Sequence, residues 1–275
     1  MNLAKVSIAG AGNYHGAVAG VTHGTIYNCH VAGTVASTAN GVGGIAGVVY
    51  GVAGRVENCT FDGTVTGTNL LGGIAGQVYS DGAAVSGCNA HGTISFGRSR
   101  NSGCMAGGIA GIADQGSVVT DSYFSGTIKP STGRGSLLGG IAGKAYGSAV
   151  VERCFAVATI NGYYSAVGGV VGQLSATVRN CYAQGVITDE NYFEGYKPTV
   201  GGLVGQMKGY INTAGAYVPA VLDNAYFTGE IGRGRGPVCR LAGQCVLRQA
   251  DGRLGLGQSR PHHGPAHQRR WPRRL

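Results

Sequence analysis

Charge is scarce in this chain. Asp, Glu, Lys and Arg make up 12% of the residues while 43% are hydrophobic, a balance that excludes an intrinsically disordered segment. Proline is also scarce, at 7, and the glycines do not fall at every third position, which excludes collagen. No apolar run approaches the roughly 18 residues a membrane-spanning helix needs. The opening Met1-Asn2-Leu3-Ala4-Lys5-Val6 lacks the charged and then apolar stretches of a signal peptide, so none is expected in this chain. Catalytic motifs are missing as well, with no His-Glu-x-x-His, no Gly-x-Ser-x-Gly and no Cys-x-x-Cys.

The basic charge is confined to one end. The formal net charge is +9, yet residues 1–232 hold eleven Lys/Arg against eleven Asp/Glu. Residues 233–275 hold ten Arg and one acid, Asp251, and contain no Thr, Ile, Tyr, Phe, Asn, Lys or Glu. A basic tail of this kind suggests nucleic acid or a membrane surface. The absence of lysine and the abrupt change of composition argue instead for an unstructured or out-of-frame tail, so no nucleic-acid partner is expected.

What is abundant is glycine, 53 residues of it, and it recurs in a pattern. Gly-Gly-aliphatic-aliphatic-Gly occurs at 43–47, 72–76, 107–111, 139–143, 168–172 and 201–205, after a degenerate copy at 16–20. Successive starts lie 27, 29, 35, 32, 29 and 33 residues apart. A second block keeps step: Ile26-Tyr27-Asn28-Cys29, Val56-Glu57-Asn58-Cys59, Val85-Ser86-Gly87-Cys88, Val119-Thr120-Asp121-Ser122, Val151-Glu152-Arg153-Cys154, Val178-Arg179-Asn180-Cys181 and Leu222-Asp223-Asn224-Ala225. A third reads Gly33-Thr34-Val35, Gly63-Thr64-Val65, Gly92-Thr93-Ile94 and Gly126-Thr127-Ile128, decaying later to Ala158-Thr159-Ile160, Gly185-Val186-Ile187 and Gly229-Glu230-Ile231.

Short runs rich in β-branched residues and bounded by glycine predict strands. One repeat cannot bury its apolar face, whereas stacked repeats share a continuous core. The expected fold is therefore all-β, a parallel β-helix or β-solenoid of about seven turns with three short strands per turn. Rungs spaced ~4.8 Å apart make a rod roughly 30–35 Å long. A propeller is the alternative, disfavoured because its blades need about 40–50 residues. Glycines are expected at corners, where positive φ or close backbone approach is required. Asn28, Asn58, Asn180 and Asn224 fit a side-chain ladder at a bend, bonded to local backbone. The repeat domain spans 1–232, or reaches 244 if Cys239-Arg240-Leu241-Ala242-Gly243 is a last signature, and 245–275 form the basic tail.

The blocks resemble the GLUG motif family, whose units run Gly-Gly-Leu-Val-Gly, then a Gly-x-Ile-x-Asn strand, then a Gly-x-Val strand. Gly201-Gly202-Leu203-Val204-Gly205-Gln206 is the closest copy, and Asn180-Cys181-Tyr182-Ala183-Gln184-Gly185-Val186-Ile187 matches the later half of the unit. The resemblance covers roughly 16–231. It implies a repeat region of a bacterial cell-surface or secreted protein, adhesin-like or set beside the protease domain of an immunoglobulin A-specific metalloendopeptidase. It also implies an extracellular or cell-surface location and no catalytic role for the repeats. The alternative is an accessory β-helical region of a larger secreted protease or carbohydrate-active enzyme. Cysteine in the second block departs from the commoner serine.

Candidate sites are few. Cys29, Cys59, Cys88, Cys154 and Cys181 share one repeat position, interrupted by Ser122. They suit packed thiols, disulfides between rungs, or a metal, and the missing paired Cys-x-x-Cys makes packed thiols the leading expectation. Cys104 falls in a loop and is expected to be exposed. Gly139-Gly140-Ile141-Ala142-Gly143-Lys144-Ala145 superficially resembles a phosphate loop, but it is one residue short, lacks the Ser/Thr, and is one more copy of the repeat. His15, His23, His30 and His91 are scattered, with His23 and His30 expected to face solvent. Insertions at 95–106, 129–138 and 188–200 should fall on one edge of the solenoid, and 206–221 at another corner. The 188–200 insertion is the most site-like, with Asp189, Glu190, Tyr192, Phe193, Glu194, Tyr196 and Lys197 as a candidate ligand-contact loop. The expected partners are a host glycan or protein, or neighbouring repeats of the same protein. No cofactor, metal or membrane insertion is expected.

Overall fold

The computed structural model describes residues 1–38, 40–97, 103–130, 136–163, 165–189, 199–233, 239–241, 245–246 and 257–258. It is a parallel β-solenoid, and strands are the only regular secondary structure among the described residues. Each turn has three faces. The long-strand face stacks Asn2–Gly10, His30–Ser37, Thr60–Gly67, Asn89–Phe96, Tyr123–Pro130, Phe155–Gly162, Tyr182–Asp189 and Tyr226–Arg233 in parallel. The short-strand face stacks seven three-residue strands, from Tyr14–Gly16 through Gly41–Gly43 to Thr199–Gly201. On the third face each turn carries two strands, such as Ala46–Tyr50 and Arg55–Glu57. They fuse into one in Ala142–Glu152 and Val171–Arg179, where the linking turn shrinks. The expected three strands per turn are thus three faces, one of them usually split. Seven rungs stack through six complete turns.

The Gly-Gly signature is a corner followed by a strand. Gly107 ends a short strand, Gly108 and Ile109 make the bend, and Ala110-Gly111 begin the third face. The corner is so tight that a Cβ on Gly108 would lie on the Gly140 carbonyl oxygen of the next rung and on the Phe124 ring. Close approach, not positive φ, is what requires glycine there. In the third block both requirements apply. Gly92 has φ +124°, and a Cβ would collide with the Gly63 carbonyl oxygen below it.

Alternation along the strands sends one set of side chains inward. Val56, Val85, Val119, Val151 and Val178 form one fully buried column, and Val42, Leu71, Ala106, Leu138 and Val167 another. A third column holds Phe61, Ala90, Phe124, Ala156 and Ala183, alternating large and small over its first four members, each lying against the second glycine of a signature.

The Asn column marks a shared backbone conformation. Asn28, Asn58, Asp121, Arg153, Asn180 and Asn224 all have φ between 45° and 54°, with Gly87 at 62°. This is the left-handed region, which Asn, Asp and Gly enter most readily. The bonds of the ladder run between rungs: Asn224 Nδ2 donates to Asn180 Oδ1 at 2.6 Å, and Asn180 Nδ2 to Glu152 Oε1 at 3.3 Å. Arg153, the least suited residue in the column, pairs with Asp121 at 2.7 Å and Glu152 at 2.8 Å. A second Asn ladder, not expected from sequence, runs Asn69 to Asn40 to Asn13 at the corner before the short strands.

The thiol column faces the interior, and Cys29, Cys59, Cys88, Cys154 and Cys181 are free and buried. Each thiol donates to the carbonyl two residues back, as Cys154 Sγ does to Glu152 at 3.3 Å, and Ser122 makes the same bond to Thr120 at 2.8 Å. Cysteine and serine are therefore interchangeable in this geometry. Cys104, expected to be exposed, is buried at 1% exposure. It directly precedes the strand Met105–Gly107, so it belongs to the corner rather than the loop, and its Sγ donates to the Asn69 carbonyl at 2.9 Å. Burial pushes the Cys104 and Cys154 thiols above their usual range, keeping the S–H donor.

Cys239–Leu241 is not a further rung. It pairs antiparallel with Gly229–Ile231 at the edge of the long-strand face. A small antiparallel pair, Cys245–Val246 with Gly257–Gln258, follows, and the rest of the basic tail lies outside the described residues.

Candidate functional site: an outer-face groove

Of the seven expected contact residues, Asp189 alone is among the described residues. Asp189 is 3% exposed, and its Oδ2 accepts the Ser165 N–H at 2.8 Å. It stands over Gly162 and braces the corner leading to the next short strand. Glu190, Tyr192, Phe193, Glu194, Tyr196 and Lys197 lie outside the described residues. The three insertions that include 98–102, 131–135 and 190–198 all leave the long-strand face and enter the short-strand face, so they share one edge as expected. The 206–221 insertion sits in the split of the third face and carries the hairpin Tyr210–Ile211 with Tyr217–Val218.

The remaining polar candidates are dispersed. His23 is exposed, and its ring meets Tyr50 edge-on at 5.0 Å. His30 lies 3.5 Å from Asp62 with its side chain 44% exposed. His15 and His91 bond Ser37 and Ser125 at 3.0 and 2.6 Å. Among the described residues no three His, Cys, Asp or Glu side chains converge as metal ligands would. In the Gly139–Ala145 segment, Lys144 lies over the Tyr146 ring, 4.6 Å from its centroid.

Two aromatic features stand on the outer surface. On the long-strand face Tyr123, Phe155, Tyr182 and Tyr226 stack with centroids 4.6, 4.7 and 4.5 Å apart. Each follows the inward Cys, Ser or Ala of its second block. Rings that close seal one another's faces, so this column stabilises the stack and offers no cleft.

The other feature is a groove of about 350 Å³ on the first three turns, lined by Tyr14, Val21, His23, Val48, Tyr50, Gln77 and Tyr79. Strand geometry builds it. Val48 pairs with Val21 and Gln77 in register, and these three form the floor. Two residues further along the same strands, hence on the same side, Tyr50 and Tyr79 form one wall, stacked at 5.5 Å and 11°, and His23, just past the end of its strand, extends it against Tyr50. Tyr14, from the short-strand face, is the other wall.

Gly41 makes room for the Tyr14 wall of the groove. Its register partner in the next turn is Leu70, followed by Met105 and Leu137. A Cβ on Gly41 would come within 3.0 Å of the Tyr14 ring, and one on Gly47 within 2.8 Å of the Tyr14 Cβ. Two glycines thus let Tyr14 lie against the rod, at a register position where the next three turns carry Leu70, Met105 and Leu137. Sequence reasoning missed this site, although aligning Gly41 with Leu70 carries the signal.

The aromatic wall ends at Asp114, which pairs with Tyr79. Its Oδ1 is buried and unpartnered among the described residues. Burial pushes the Asp114 carboxyl above its ordinary value of 3.8, partly offset by the Gln115 backbone N–H and then by Lys144. The native protein therefore holds this proton more tightly than the unfolded chain does, and stability falls as pH rises from 3.8 through the raised value. Asp114→Asn is expected to raise stability at pH 7 by about 0.5–1 kcal/mol, discounted because solvent screens a half-buried group. Thermal midpoints of both proteins at pH 7 and pH 3 check this, and the difference should vanish at the lower pH.

No curated protein and no solved structure matches the chain. The family model of the GLUG motif matches residues 38–66, 102–129 and 163–188. Each match runs from just before a short strand to near the end of the following long strand, so the motif corresponds to one full turn. The third match includes 180–187, and the signature copy at 201–206 falls outside all three. In these three segments, each about one turn of the solenoid, the chain matches the GLUG motif.

Proposed function

We propose that this chain is a non-catalytic, structural and adhesive repeat segment of a bacterial cell-surface or secreted protein. The observation that carries the reading is the parallel stacking of seven rungs on all three faces. It makes a scaffold that carries a groove on its outer surface. The disposition of the acids supports the non-catalytic part. Glu57 pairs with Arg55, Asp121 and Glu152 with Arg153 and Arg179, and Asp62 with His30, so these carboxylates serve the stack.

The test is retention of the purified 275-residue chain on immobilised host glycans and extracellular-matrix proteins, with the supernatant assayed for reducing ends and released peptides. Saturable retention without release of either product is the expected result. Release of product would overturn the non-catalytic reading. Absence of retention on every surface would remove adhesion and leave a spacer.

A further inference from the structure

We propose that the groove between Tyr14 and the Tyr50–Tyr79 wall is a binding site for a neutral oligosaccharide, an inference that rests on the adhesive reading and names its ligand class. Its lining decides the chemistry. No Lys, Arg, Asp or Glu is among the lining residues, so an anionic or cationic ligand would find no counter-charge. Tyr14 supplies a ring, and Tyr50 and Tyr79, stacked on each other, supply ring edges, so that the C–H groups of a sugar meet apolar surface on both walls. Their phenols, with the Gln77 amide and the His23 imidazole, supply hydrogen-bond partners for its hydroxyls. Apolar surface flanked by a few convergent polar groups is the usual make-up of a small-ligand site.

Geometry separates a sugar from a peptide. The groove runs along the solenoid axis, so its floor residues repeat once per rung, ~4.8 Å apart, and its wall rings follow at 5.0 and 5.5 Å. A pyranose unit in an extended chain advances by about that spacing. An extended peptide presents same-side groups every two residues, roughly 6.6 Å, and falls out of step. A peptide would also gain most of its affinity by adding a strand at a free edge. Here the floor strand Ala46–Tyr50 is already paired on both sides, with Ala19–Thr22 and Ala75–Tyr79. Oligosaccharides bring their own donors and acceptors and need no backbone edge. The length of three rungs fits two or three sugar units.

The test uses the full chain with maltohexaose, cellohexaose and xylohexaose as neutral probes and sialyllactose as the anionic one, followed by saturation-transfer NMR and titration calorimetry. At least one neutral hexasaccharide is expected to bind saturably and sialyllactose not to bind. Gly41→Leu places there the residue found at that register position in two other turns, and its side chain would displace the Tyr14 wall of the groove. It is expected to weaken binding at least 10-fold, as is Tyr50→Ala, with the far-UV circular dichroism of both unchanged. Failure of all three neutral probes, equal binding of sialyllactose, or full binding by Gly41→Leu would overturn the proposal. Retention on protein-coated surfaces that Gly41→Leu leaves intact would do so too, while keeping the adhesive reading.

Discussion

Gly108→Ala is expected to cost on the order of 4 kcal/mol, an effect usually reserved for broken cores, from the addition of one methyl group. The methyl carbon would occupy the space of two neighbours at once, the Gly140 carbonyl oxygen and the Phe124 ring. The ring could shift, but the carbonyl is fixed in the bend of the next rung, where the Gly108 side of the corner meets Gly140 throughout the stack. Rungs must therefore separate locally, breaking parallel pairing above and below. With a denaturant slope of about 2–3 kcal/mol per molar, the urea midpoint followed by far-UV circular dichroism should fall by about 1–2 M. Gly24→Ala is the matched control. No atom lies within 4 Å of its added Cβ, so its midpoint should be unchanged or slightly raised. A wild-type midpoint for Gly108→Ala would show that the corner is not close-packed.

Phe124→Ala is expected to cost about 3–5 kcal/mol by the opposite fault, a void. Phe124 is 1% exposed and sits in the alternating column between Ala90 and Ala156, so neither neighbour reaches far enough to fill the space. The same urea titration reads it. The double variant Gly108→Ala/Phe124→Ala should lose less than the two single losses added together, because removing the ring relieves part of the glycine's clash. The clash with the Gly140 carbonyl would remain.

Much of this fold was legible because the chain states its rules seven times. The Gly-Gly signature, the strand blocks and the common edge of three insertions follow from spacing alone. The left-handed corner was only half legible. Asn28, Asn58, Asn180 and Asn224 point to it, but Asp121 and Arg153 adopt the same backbone with side chains that do not announce it. Cys104 was misplaced because an insertion of variable length precedes it, and loop length says nothing about where a loop ends. The split third face was hidden for a similar reason. The linking turn is Gly51-Val52-Ala53-Gly54 in one rung and little more than Gly147 in another, and only register distinguishes a turn from a bulge. The groove escaped notice because its Tyr14 wall rests on a residue that is small where its neighbours in the stack are large. Such a signal appears only after the turns are aligned in space.

The stacking direction has a mechanical consequence. The interstrand hydrogen bonds lie along the long axis, so tension applied between the two ends passes through every rung boundary in series, and the weakest boundary yields first. A turn such as the 29 residues from Gly43 to Gly72 occupies ~4.8 Å of length when folded and releases about 100 Å of extended chain when it opens. Under a pull, such a rod yields in discrete, re-closable steps, lengthening roughly twentyfold per turn while the turns that remain stay intact.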